Sequence, residues 1–220
     1  MSGEDLAAAA RVAPPVSAAA TVCGALGLEA TAAQIDALDR YLALLQRWNS
    51  TYNLTAVRDP EQMLTQHLAD CLAVVKPLSA RLPSGRVLDV GSGGGLPGVV
   101  LAVMGWDVFC VDTVGKKAAF IRQVAAELRL SNLHAVHSRV EQWRAPPFDL
   151  ITSRAFASLA DFVTLTGSQL KPGGCWMAMK GRLPEDEIVA LPADIEVFHV
   201  EQLTVPGLDA QRCLVWMRKR

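Results

Sequence analysis

Four glycines and a carboxylate carry the first chemical signal in this 220-residue chain. Gly91, Gly93, Gly95 and Gly98 follow the short apolar run RVLDV, and Asp112 ends the next one, WDVFCVD. Glycines at a strand-to-helix turn let backbone N–H groups approach a ligand with no Cβ in the way, and an acid roughly 20 residues further on can hold both hydroxyls of a ribose. The combination predicts an adenosine-containing cofactor. The plain alternatives are a glycine-rich turn that holds no ligand, and an Asp112 that caps the helix beginning near Lys116.

The register of the glycines narrows the choice of cofactor. Gly93, Gly95 and Gly98 satisfy G-x-G-x-x-G, but in the dinucleotide fingerprint the first glycine ends the strand, whereas here Gly91 does so and Gly93 comes two residues late. The strand also carries Asp89 two residues before Gly91. The D-V-G-S-G-G-G sequence resembles the first motif of Rossmann-like methyltransferases that use S-adenosyl-L-methionine (SAM).

The elements that must position these residues read as alternating strand and helix from Arg86 onward. Strands are expected at 86–90, 106–112, 133–138, 148–153, 174–180, 194–205 and 212–218, with helices near 97–104, 116–129, 158–170 and 185–191. The early strands are almost wholly apolar, as parallel strands covered on both faces are. Pro206-Gly207-Leu208-Asp209 is a turn signal, so the last two strands should form an antiparallel hairpin. The expected fold is α/β: a mostly parallel seven-stranded sheet with one reversed strand, as in Rossmann-like SAM-dependent methyltransferases. Residues 21–85 read as an N-terminal helical cap and 86–220 as the methyltransferase domain. In the cap, Thr31 and Gln34 make a capping-box pattern before one apolar stripe. Asp59 and Pro60 start a second stripe that should bury Leu64, Leu68, Cys71, Leu72 and Val75. Residues 1–20, Ala-rich with Pro14-Pro15, read as a poorly ordered arm.

Composition limits the function classes. The five cysteines lack C-x-x-C spacing and read as reduced thiols of a cytoplasmic protein. No run approaches the 18 or so apolar residues of a membrane span, and no signal peptide is evident. A net charge of −1 argues against coating nucleic acid by bulk electrostatics. Residues 115–144 nevertheless hold six Lys/Arg, including Lys116, Lys117 and Arg139, against Glu127 and Glu141. That segment is either a phosphate-binding stripe or a solvated helix face with its loop.

Open α/β sheets bind ligands beyond the carboxyl ends of their strands. After the third strand, Arg139-Val140-Glu141 offers an apolar side chain and backbone amides for an adenine, or simply begins a helix. After the fourth comes Ser153-Arg154-Ala155-Phe156, with neither the Asn/Asp-Pro-Pro-aromatic motif of amino-group methyltransferases nor a Pro-Cys motif that would supply a thiolate nucleophile. What remains is a target that needs no general base, such as guanine N7. His67 and Asp70, at i and i+3, lack the further ligands of a metal site, and a structural hydrogen bond is the expected role of His67. Trp143, Trp176 and Trp216 read as packing, and Phe156 as the better base-stacking candidate.

Together these residues resemble the bacterial 16S rRNA guanine-N7 methyltransferase family, also called glucose-inhibited division protein B. Four blocks carry the resemblance: Trp48-Asn49 with Tyr52–Pro60, His67–Asp70, Leu88–Gly98, and Ser153–Ala157 with Lys180-Gly181. Cys71 and Cys213 depart from it, where Ser and His are common. The resemblance implies SAM contacts at Gly91, Leu96, Val140, Glu141 and Arg154, with Gly93 in the same loop, and Asp112 joins them on the ribose argument. It implies in-line methyl transfer to N7 with no catalytic acid, base or nucleophile. It also implies 16S rRNA or the small ribosomal subunit as partner, with no membrane and no metal, and a monomer. The guanine must be unstacked, so Arg139, Lys180 and Arg182 are candidates for phosphate or O6 contacts and Phe156 for stacking. A nicotinamide-dependent oxidoreductase and a non-catalytic ribosome-binding module are the readings from other classes.

Overall fold

The computed structural model describes residues 17–154, 156 and 158–220. Of the expected N-terminal arm, residues 1–16 lie outside the described residues, as do Ala155 and Ala157. Ser17 accepts a hydrogen bond from the Ala20 amide at 3.0 Å and starts helix α1 (Ala18–Leu26). Helix α2 (Ala32–Tyr52) starts at the Thr31/Gln34 capping box.

The seven strands are β1 (Arg86–Val90), β2 (Asp107–Asp112), β3 (Leu133–His137), β4 (Phe148–Ser153), β5 (Leu170–Lys180), β6 (Ile195–Leu203) and β7 (Arg212–Lys219). They lie in the order β3-β2-β1-β4-β5-β7-β6, and β7 alone runs against its neighbours, antiparallel to both β5 and β6. The expected reversed strand is therefore the last one. Strand order changes direction between β1 and β4, and the crevice beyond their carboxyl ends is where such sheets take ligands.

Two apolar layers cover the sheet. On one face α1, α2, α6 (Gly98–Val103) and α7 (Gly115–Glu127) bury Leu38, Tyr41, Leu45, Val99, Phe120 and Ile121. On the other, α8 (Leu159–Thr166) buries Leu159 and Phe162 against Val90, Ile151 and Trp176. The first layer is a single cluster that runs from α1 and α2 into the sheet without interruption. No helix among the described residues is long and apolar enough to cross a membrane.

Four elements differ from the sequence reading. Helix α8 ends at Thr166, short of the expected 170, because β5 begins at Leu170, four residues before the expected start. Pro172-Gly173-Gly174 is absorbed by a register shift against β4 between Phe148 and Leu150. Residues 185–191 yield only the short helix α9 (Glu185–Val189). The expected helix after Asp59 is interrupted: α3 (Pro60–Met63) passes into a π-helical turn at Leu64–Ala69 before α4 (Asp70–Leu72) and α5 (Val75–Arg81). The wider turn shifts the helical phase, so Met63 is buried and Leu64 only half-buried. Such turns concentrate at functional sites.

Candidate active site

Asp112 organises the crevice. Its carboxylate accepts the Gly93 amide at 2.9 Å on one oxygen and the Val114 amide at 2.8 Å on the other, with the Lys117 ammonium at 3.7 Å. It thus ties the glycine loop to the end of β2 and turns the chain into α7, so the local tether considered from sequence is present. Each carboxylate oxygen can accept a second hydrogen bond, which leaves capacity for a ribose diol.

Asp112 opens into a cleft of about 360 Å³ with Gly91, Val140, Glu141, Arg139 and Phe156. Gly91 has φ 69°, and a Cβ built on it meets no protein atom within 4 Å. A side chain there would therefore project into open space. With the apolar surfaces of Val90, Val111 and Val140, this donor and acceptor set fits an adenosine. Gly93 is spent on Asp112, and Leu96 is buried in the core. Phe156 lies in this cleft and packs on Phe162 at 5.4 Å.

The loop is braced from beneath. Tyr41 of α2 donates a 2.7 Å hydrogen bond to the Gly94 carbonyl. The fully buried Asp89 accepts the Gly98 amide at 2.9 Å, while its second oxygen has no partner, and burial raises its pKa to about 7. A Cβ at Gly98 would stand 2.8 Å from that carboxylate, so the position requires glycine.

Arg154 does not face the adenosine cleft. It lines a second cavity, of about 320 Å³, with Gln66, His67, Asp70, Lys180 and Arg212. Arg154 donates to the Gln66 carbonyl at 3.0 Å and to His67 Nδ1 at 3.4 Å, and its guanidinium stands 3.5 Å from Asp70. Arginine only donates, so His67 Nδ1 accepts and its Nε2–H donates to Thr55 Oγ1 at 2.7 Å. Burial, assisted by Arg154, lowers the His67 pKa to about 4 and keeps the ring neutral. His67 thus has the structural hydrogen bond expected of it. Asn49 holds the loop that presents Thr55, donating to the Val57 carbonyl at 2.9 Å and accepting the Thr55 amide at 2.8 Å. Arg212, which sequence reasoning did not single out, donates to Asp70 Oδ1 at 2.9 Å from the start of β7.

The remaining candidates are placed apart. Lys180 is held by Glu187 at 2.8 and 3.0 Å, with its side chain 16% exposed, because Glu187 of α9 also caps the Leu159 amide. That pairing leaves it poorly suited to the phosphate contact expected of it. Arg182 is exposed beside α9, and Arg139 is exposed at the rim of the cleft, 3.7 Å from Glu141. Lys116 is exposed.

Among solved structures of similar fold, the crystal structure of TrmN from Thermus thermophilus aligns with a TM-score of 0.55 at 20% identity, covering 71% of this chain and 53% of that one. The glycopeptide N-methyltransferase MtfA, solved with SAM, aligns at 0.58 and 14% identity, covering 69% and 94%. Curated relatives are far more similar. The ribosomal RNA small subunit methyltransferase G of Leptothrix cholodnii is 66% identical over 200 residues, covering 89% of this chain and 92% of its own. The protein of that name from Bordetella avium is 54% identical over 221 residues, covering 98% and 96%. The family GidB, described as rRNA small subunit methyltransferase G, matches residues 34–215. With the first-motif loop, the braced Asp112 and the reversed last strand already in place, this match establishes that the chain belongs to the GidB family of SAM-dependent small-subunit rRNA methyltransferases.

Proposed function

We propose that the protein methylates N7 of a guanine in 16S rRNA, acting as a cytoplasmic monomer without a metal. The observation that supports the N7 reading is that each ionisable group the described residues place at the crevice is engaged with other groups, Asp70 with Arg154 and Arg212 and Glu141 with Arg139 included. Asp112 is committed to two amides, His67 is neutral with its Nδ1 facing a guanidinium, and Asp89 is buried beneath the loop. Guanine N7 has an in-plane lone pair and no proton to remove, so this equipment suffices.

SAM supplies a methyl group on a sulfonium, an electrophile that needs no further activation. The contributions of the chain are binding and orientation. Asp112 holds the ribose, Gly91 leaves room for the cofactor backbone, and Val140 and Phe156 enclose the adenine. Among the described residues the large exposed apolar side chains are Tyr52 in α2, Leu165 in α8, Leu183 in the loop before α9 and Val189 in α9, too few for an extensive apolar face, which supports a monomer.

The test is methylation of 16S rRNA and of small subunits, followed by mapping of cationic, chemically labile guanines. Single-turnover rates at saturating SAM and RNA should be nearly flat between about pH 6.5 and 8.5, since no essential base titrates. A rate rising tenfold per pH unit, with RNA binding unchanged, would replace N7 with an amino or ring-carbon target.

A further inference from the structure

The second cavity lies at the carboxyl end of β4, beside the adenosine cleft but separate from it. Ser153, the last residue of β4, donates from Oγ to the Val90 carbonyl at 2.9 Å, so the residue next in chain to Arg154 is pinned against the strand end that leads into Gly91. The cavity has apolar walls from Met179 and Leu203. At its base is Asp70, 2% exposed.

The cations around this cavity are paired rather than free. Arg154 and Arg212 both bond Asp70, and Lys180 bonds Glu187, so each of its three cations already has a carboxylate partner. A phosphate entering here would also meet the Asp70 carboxylate. A neutral ring with hydrogen-bond donors meets the opposite situation. Asp70 Oδ1 takes one bond, from Arg212 at 2.9 Å, and Oδ2 has only the long 3.5 Å approach of Arg154, so both oxygens retain acceptor capacity. The two guanidinium groups offset the cost of burying the carboxylate and fix its plane.

Guanine carries adjacent N1–H and N2–H donors that match two carboxylate oxygens. Adenine places an acceptor at N1, which a carboxylate repels. We propose that this cavity, formed by the π-helical turn and the start of α4, the residue after β4, and β5, β6 and β7, receives the extruded target guanine, with Asp70 accepting N1–H and N2–H and thereby selecting guanine. The ring lies between Met179 and Leu203, and the imidazole edge, across the ring from N1 and N2, is left free for attack. The proposal rests on the N7 reading above and adds where the base sits and which residue reads it.

The experiment begins with the wild-type protein, so that folding is not at issue. A 16S rRNA is assembled by ligation with guanosine, or with inosine, which lacks the N2 amine, at the mapped target. Inosine should lower the single-turnover rate at subsaturating RNA by about tenfold or more, the loss expected for one charged hydrogen bond. Asp70→Asn, checked for SAM affinity by calorimetry, should bring the two RNAs within about threefold of each other. Gly181→Leu tests the cavity without touching Asp70. Gly181 lines it, and a Cβ there has only an ordinary contact, 3.9 Å from Arg212, so the variant should fold, keep SAM affinity and lose RNA methylation. Equal wild-type rates on guanosine and inosine RNA, or full activity of folded Gly181→Leu, would overturn the cavity assignment and leave the N7 reading standing. Absence of N7-methylguanine in the guanosine RNA would overturn both.

Discussion

The carboxylate of Asp112 at the end of β2 accepts the amide of Gly93 from the loop after β1, at 2.9 Å, which adds a side-chain tie to the 2.8 Å backbone bond from the Gly91 amide to the Val111 carbonyl between the same strand ends. Asp112→Ala removes that tie, the Val114 tether and the proposed ribose acceptor together. SAM affinity should fall by about 1–3 kcal/mol, the range for losing a charged hydrogen-bonding partner, with the fold retained. Calorimetry with SAM checks this, and unchanged affinity in a folded variant would remove Asp112 from the ribose site.

Arg154 is joined to Gln66, His67 and Asp70 and lines the second cavity instead of the cofactor cleft. Arg154→Ala should therefore lower the single-turnover rate by about a hundredfold, as displacements near 1 Å can. SAM affinity should change much less. The variant should also raise the His67 pKa, since a neighbouring positive charge is gone. NMR titration of the ring reads that effect, and a rate near wild type at saturating SAM and RNA would make Arg154 purely structural.

His67 has a folded pKa of about 4 against an ordinary 6.5, because burial and then Arg154 oppose its charged form. Above pH 6.5 it is neutral in both folded and unfolded chains and contributes no pH dependence. As the pH falls from 6.5 towards 4 the unfolded chain binds the proton first, so stability declines, by at most about 3 kcal/mol. His67→Gln should flatten that limb in denaturant titrations at pH 4.5, 5.5 and 7; an unchanged limb would assign it to other groups.

Asp89 acts in the opposite direction. Burial lifts its folded pKa to about 7 from 3.8, so the folded chain binds the proton more tightly and stability declines as the pH rises from 3.8 to 7, by on the order of 3–4 kcal/mol. Asp89→Asn keeps an acceptor for the Gly98 amide and removes the ionisation. Its stability relative to wild type should increase between pH 5 and 8, as read by urea midpoints. A constant difference across that range would show that Asp89 does not titrate there.

The parts of the site that could be read from sequence are those encoded locally. Gly91 to Gly98 after an apolar strand, Asp112 at the end of the next, and Pro206-Gly207 between two apolar runs each carry their conformation in a few adjacent residues. They led to the cleft and to the reversed β7. The second cavity was not readable in the same way. Asp70 meets Arg154 across 84 positions and Arg212 across 142, and no local pattern marks either pairing. The π-helical turn that aims His67 and Asp70 depends on tertiary packing, since apolar spacing alone continues an α-helix through Leu64. Lys180 looked free because its partner, Glu187, belongs to a helix whose acidic first turn reads as solvated surface.

The continuity of the apolar layer from α1 and α2 into the sheet has a thermodynamic consequence. Leu38, Tyr41 and Leu45 belong to the same buried cluster as Val99, Phe120 and Ile121, so neither half retains a complete core when the other melts. The chain should lose both halves in one cooperative transition. Fluorescence of Trp48, in α2, and of Trp176 and Trp216, in the sheet, measured in variants that retain each probe separately, should report the same urea midpoint. Two separated midpoints would divide the molecule into independent folding units. By the same coupling, a truncation that begins at the first strand removes half of one core and should not yield a stable minimal enzyme.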